Sequence, residues 1–162
     1  MSRASPRLLL AGLGLACAAS VAAALVGQHR FGMEPCPWCI LQRMLFIALA
    51  LVSLLAAAVP SGNLRRALST LGLPLAASGM AAALWQHFVA AQSASCALTL
   101  ADKVIGFFGL DVLMPEVFEV RASCADAAVK VLGVPFELWS LALFAIAGTV
   151  LLISVLTPAR RA

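Results

Sequence analysis

Charge is scarce in this chain. Asp, Glu, Lys and Arg make up only 11% of its 162 residues, against 63% hydrophobic, and the mean hydropathy is +1.03. That deficit excludes an ordinary soluble domain, in which about 25% of residues are charged. Also missing are a glycine-rich phosphate loop, a hydrolase triad and a convincing cluster of metal ligands, so phosphoryl transfer, triad hydrolysis and metal chemistry have no residues to rest on. The net charge of +4 would suggest nucleic acid in a soluble protein. Here its distribution reads as a membrane-orientation signal, and no nucleic-acid partner is expected.

Apolar runs take the place of charge. A helix crossing a bilayer needs about 20 predominantly apolar residues, and four stretches supply them, at about 8–27, 40–59, 67–89 and 136–156. The expected fold is an all-α membrane protein, a four-transmembrane-helix bundle forming one integral membrane domain over 1–162, with connecting loops at about 28–39 and 90–135. The first run has a second reading as a cleaved signal peptide, because Arg3 and Arg7 precede it and Val21-Ala22-Ala23-Ala24 offers small residues for cleavage. It is, however, longer than the usual signal core. Pro60-Ser61-Gly62-Asn63 is a turn signal after the second run. Gly72, Pro74, Ser78 and Gly79 in the third allow a kink and close helix approach. In the second loop, Val104 to Val120 mixes Phe107, Phe108, Leu110, Leu113 and Met114 with Asp111 and Glu116. It reads either as a segment in the interface plane or as a helix packed on the bundle.

Arg3, Arg7, Arg65, Arg66, Arg160 and Arg161 flank the runs on one side, which is therefore expected to be cytoplasmic along with both termini. The two loops then face the opposite compartment, in a bacterium the oxidising periplasm beyond the inner membrane. Trp38, Trp85 and Trp139 all fall at the outer edges of runs, the depth at which indole rings anchor.

Five cysteines fit that compartment. Cys17 sits in an apolar run and reads as a small packed hydrophobe. The rest form two pairs outside the runs, Cys36 with Cys39 and Cys96 with Cys124. The first lies in Pro35-Cys36-Pro37-Trp38-Cys39-Ile40-Leu41-Gln42-Arg43. Two cysteines three apart close a small disulfide ring, and the thiolate is the form that attacks or leaves. A helix starting near Pro37 puts Cys39 in its first turn, where free N–H groups favour negative charge. Arg43 lies one turn on, on the same face as Cys39, and an arginine just inside an apolar run needs a partner, such as a thiolate or a polar cofactor head group. The plainer readings are a structural bridge with Arg43 snorkelling to the interface, or half a zinc site. A Cys96–Cys124 bridge would close a long loop and stabilise by roughly 3–4 kcal/mol, so a structural staple stands beside a redox relay for that pair. His87, at the end of the third run, is either an interfacial polar residue or a cofactor contact. Gln42, beside Arg43, is expected to point elsewhere on the helix.

Taken together, four runs, the Pro35–Arg43 motif, Gln86-His87 closing the third run, Ser95-Cys96 and Ser123-Cys124-Ala125 resemble the disulfide bond formation protein B (DsbB) family of bacterial inner-membrane thiol oxidases. The resemblance implies catalysis by Cys36, Cys39, Cys96 and Cys124. A reduced periplasmic DsbA-like thioredoxin-fold oxidase would attack Cys96, releasing Cys124 to pass electrons to the Cys36–Cys39 disulfide. Cys36 would be the more exposed member of that pair, and Cys39 would face a quinone, ubiquinone or menaquinone, with Arg43 and His87 as its contacts. The respiratory chain would reoxidise the quinol. A strong oxidant is required: DsbA lies near about −120 mV and structural disulfides below about −300 mV, a gap of roughly 8 kcal/mol for two electrons. The rival readings are an oxidase dedicated to one client, a quinone or vitamin K reductase with a similar bundle, and a non-enzymatic four-span scaffold with two structural disulfides.

Overall fold

A computed structural model of the protein describes residues 5–92 and 99–157. Four helices in it are long and apolar enough to cross a membrane: α1 (Pro6–Phe31), α2 (Pro37–Ala58), α3 (Gly62–Phe88) and α7 (Phe136–Leu156). Short connections make α1, α2 and α3 run up and down in turn, with α7 antiparallel to α3. One end of the bundle therefore gathers the end of α1, the start of α2, the end of α3 and the start of α7. Local chemistry sets these boundaries. The Ser5 hydroxyl accepts from Leu8 N–H and Pro6 occupies the first position of α1. Gly32, at φ 64°, closes α1 in the left-handed conformation that glycine adopts without strain, its N–H returning to Gly27 O. Ser61 caps α3 in the same way as Ser5 caps α1.

Lipid tails give apolar helices no hydrophobic reason to associate, so close packing of small residues must do it. Between α3 and α7, Gly72 lies under Leu151 and Gly79 under Phe144, whose ring stacks on Phe46 of α2 at 4.0 Å and 3°. Gly14 of α1 sits against Leu54 and the Ala50 carbonyl of α2. Cys17 is fully buried in this core beside Leu10, Leu49 and Phe144, as a small hydrophobe should be. The Ser69 hydroxyl donates to Ser154 Oγ at 2.9 Å across the α3–α7 seam. Outward-facing Leu51, Leu71 and Ile146 remain more than half exposed, the surface a bilayer would cover. A methyl group at position 79 would fall 2.2 Å from the Phe144 ring, which Phe46 prevents from yielding. Gly79→Ala is therefore expected to destabilise the bundle by about 1–3 kcal/mol, read as a lower unfolding temperature in detergent. Gly12→Ala, with nothing within 4 Å of the added carbon, should leave it unchanged.

The second loop is folded rather than trailing. A capping box of Thr99 and Asp102 starts α4 (Leu100–Phe108), and Gly109 at φ 61° breaks it from α5 (Leu110–Leu113). Then α6 (Pro115–Phe118) follows. Ile105 and Phe118 pack on Ile40 of α2, while Phe107, Val112 and Leu113 stay exposed. Thus the Val104–Val120 stretch is three short helices, with one face on the bundle and an apolar face turned outward. A two-residue hairpin, β1 (Lys130–Val131) and β2 (Val134–Pro135), leads into α7. Its turn places Leu132 at φ 54° and Gly133 at φ 80°, and Trp139 Nε1 donates to Val131 O at 3.2 Å.

Candidate redox site

Cys36 is the N-cap of α2. Its extended backbone turns the sulfur back to accept the Cys39 N–H at 3.4 Å, Pro37 takes the first helical position, and the two sulfurs stand 3.0 Å apart. Loop two is brought to this point by Pro35, whose carbonyl accepts the N–H groups of Arg121 at 3.0 Å and Ala122 at 3.3 Å. The next turn is fixed by Ser123, which donates to the Asp126 carboxylate at 2.6 Å and accepts the Asp126 N–H at 3.2 Å. Held there, Cys124 joins Cys36 in one buried cluster, where the two thiols shift each other's pKa. The three sulfurs therefore follow one another in the order Cys124, Cys36, Cys39. Cys96 lies outside the described residues, and so does its pairing with Cys124.

Cys36 has no surface exposed to solvent, which corrects the expectation that it is the more exposed of the pair; Cys39 is half-buried instead. The reason is that loop two and the aromatic ring of Trp38 close over the helix start. Trp38 itself is buried, with its centroid 6.3 Å from that of Trp85, so it packs rather than anchoring at an exposed edge. Trp85 and Trp139 keep about half their surface exposed. Hydrogen bonds from Cys124 and Cys39, reinforced by burial, raise the pKa of Cys36 far above the ordinary thiol value. The bond from Cys36 holds that of Cys124 below it, against the opposing effect of burial.

On its other side Cys39 meets amides. Gln86 Nε2 donates to its sulfur at 3.2 Å, and Gln42 Nε2 donates to Gln86 Oε1 at 2.7 Å, which fixes the orientation of the Gln86 amide. Gln42 therefore points toward the site, not away from it. Both glutamines, Cys39 and Arg43 line a largely apolar cavity of about 300 Å³ between α1, α2 and α7. A second cavity, of about 430 Å³ on the loop side, shares Cys39 and Arg43. Arg43 is buried and donates from one terminal nitrogen to Gln28 Oε1 at 3.0 Å and to Val117 O of α6. Its partners are thus a side-chain amide and a loop-two carbonyl, and its Nε has no partner among the described residues. His87 stands one layer back, its Nδ1 2.8 Å from Glu137 Oε1, and it is Glu137 that reaches the cavity wall.

Sequence reasoning missed Gln28, Gln86 and Glu137. Gln42 had a usable signal, since it is three residues after Cys39 and so on the same helical face. Glu137 also had one, as a single acid at the head of an apolar run. Gln86 meets Cys39 only through the tertiary fold, 47 residues apart in sequence.

The family model described as disulfide bond formation protein DsbB matches residues 6–154. Proteins named disulfide bond formation protein B from Aromatoleum aromaticum and Verminephrobacter eiseniae are each 35% identical, over 85% and 91% of this chain and 84% and 85% of their own. One of the same name from Polaromonas naphthalenivorans is 32% identical over 97% of this chain and 95% of its own. With the match running through all four long helices and both cysteine loops, the chain belongs to the DsbB family of membrane disulfide bond formation proteins.

Proposed function

We propose that the protein is a quinone-dependent thiol oxidase that regenerates the disulfide of a periplasmic DsbA-like thioredoxin-fold oxidase. The observation that carries this reading is the run of sulfurs from Cys124 through buried Cys36 to Cys39, which ends on a cavity holding a buried arginine. In the first exchange a thiolate of the reduced partner attacks Cys96 of a Cys96–Cys124 disulfide and Cys124 leaves. In the second, Cys124 attacks Cys36 of the Cys36–Cys39 disulfide and Cys39 leaves at the cavity wall. Resolution of the mixed disulfide by the partner's second thiol returns the partner oxidised and frees Cys96, which attacks Cys124, remakes the Cys96–Cys124 disulfide and releases Cys36, so that the two electrons come to rest on the Cys36–Cys39 dithiol.

The cavity suits a quinone. Its walls are mostly apolar, and the buried Arg43 among them offers a positive charge to a quinone carbonyl oxygen. Arg43 and Gln42 would hold the ring edge beside Cys39. A bound quinone supplies an acceptor for two electrons and two protons. Arg7, Arg65 and Arg66 lie at the end of the bundle opposite the cysteines, which supports a cytoplasmic placement for that end and a periplasmic one for the sulfurs.

The test is anaerobic mixing of the purified protein with a reduced DsbA-type partner and ubiquinone or menaquinone, following quinone absorbance. One quinone reduced per partner disulfide formed is expected. Unchanged absorbance, with both cysteine pairs permanently oxidised on thiol trapping, would instead mark a scaffold.

A further inference from the structure

Glu137 is a carboxyl group with 5% of its surface exposed, placed in the first turn of a helix otherwise built to sit in lipid. An ionisable group at such a position is rare without a function, and proton transfer is a common one. Glu137 lines the cavity that Cys39 also lines. Its Oε1 lies 2.8 Å from Nδ1 of His87, whose side chain, unlike that of Glu137, keeps 31% of its surface open at the end of α3. Carboxyl and imidazole together thus lead from an exposed edge of the bundle into the cavity.

The chemistry of the proposed reaction requires such a connection. Two thiols becoming a disulfide release two electrons and two protons, and a quinone becoming a quinol takes up two of each. The sulfur chain carries electron pairs, but the Cys36 proton is held among sulfurs away from the cavity wall. Among the groups on that wall, the amides of Gln42 and Gln86 and the hydroxyls of Ser20 and Ser140 do not titrate in the working range, and a guanidinium such as Arg43 does not surrender its proton. The titratable groups facing Glu137 are Cys39 and Arg43 from α2 and His87 from α3, while α1 contributes none to the wall. Among the described residues on this wall, Glu137 alone joins an exchangeable proton to a partner, His87, that reaches the exposed edge.

On the reading that this cavity takes a quinone, we propose that Glu137 is its proton donor, resupplied from outside through His87. Electrons and protons then arrive from different sides, electrons from Cys39 on α2 and protons from α7.

Glu137→Gln keeps the shape and a hydrogen bond to His87 while removing the exchangeable acid. Expected are a fall of about 10²-fold in kcat for quinone reduction, a KM for quinone changed by less than about twofold, and loss of the acid-to-neutral slope of the pH profile. His87→Ala should fall in the same direction and recover with added imidazole. Infrared titration of the protein without quinone gives a second readout: a carboxyl band absent in Glu137→Gln and displaced in His87→Ala. An unchanged kcat in Glu137→Gln, a loss of rate with an unaltered pH profile, failure of imidazole to restore His87→Ala, or a carboxyl band indifferent to both substitutions would overturn the inference. If the unsubstituted protein reduces no quinone, the proposed function falls and this inference with it; turnover retained in Glu137→Gln sinks the inference alone.

Discussion

Serine in place of Cys39 is expected to abolish quinone reduction and to leave the protein trapped with a bond between Cys36 and Cys124. Of the three described sulfurs in the relay only Cys39 lies on the cavity wall, so its loss removes the one group that passes electrons into it. Removing a covalent nucleophile from other enzymes lowers turnover by on the order of 10⁶-fold, which here means no detectable rate. Cys36 would be left with Cys124 as its sulfur neighbour. By attacking Cys124 in the loop-two disulfide it would expel Cys96 as a thiol and create a bridge that no remaining thiol can open from the cavity side. Mass spectrometry after alkylation should find the Cys36 and Cys124 peptides joined and Cys96 alkylated. A Cys39→Ser protein that still turns over, or whose Cys36 is free and Cys124 bound to Cys96, would refute the sulfur order seen here.

The second large effect belongs to Arg43. Arg43→Ala removes the donor to Gln28 Oε1 and to Val117 O, and a buried acceptor left unpaired costs about 1–3 kcal/mol. It also removes the positive charge at the cavity, for which a loss of about 10²-fold in quinone turnover is expected by comparison with oxyanion-hole donors. The disulfides should still form, because none of the sulfurs depends on Arg43 for position. Arg43→Lys tests the geometry: an ammonium keeps the charge, but it lacks the planar fork of the guanidinium. Stability should return in part and quinone affinity should not. An apparent quinone affinity unchanged in Arg43→Ala would remove the arginine from the site.

The bundle was legible because each crossing helix carries its own signal, an unbroken apolar run ended by proline, glycine or serine. The start of α2 was legible for a similar reason, since Pro37 is tolerated at a first helical position and not further in. What stayed hidden depends on contacts distant in sequence. The burial of Cys36 follows from Arg121 and Ala122 bonding to Pro35, which no local pattern announces. The hairpin before α7 was unexpected because Leu132-Gly133 is not the Asn-Gly or Asp-Gly pair that usually makes such a turn, and leucine rarely adopts a positive φ. Likewise the partners of Arg43 came from α1 and α6, since the cysteine one turn away shares its cavity and not its hydrogen bonds.

One consequence of the sealed position of Cys36 concerns leakage. Dissolved thiols, peroxides and stray peptides attack a disulfide only where they can approach a sulfur, and at this junction there is no opening for them. The middle of the wire is insulated at Cys36, which is reached from the loop side through Cys124.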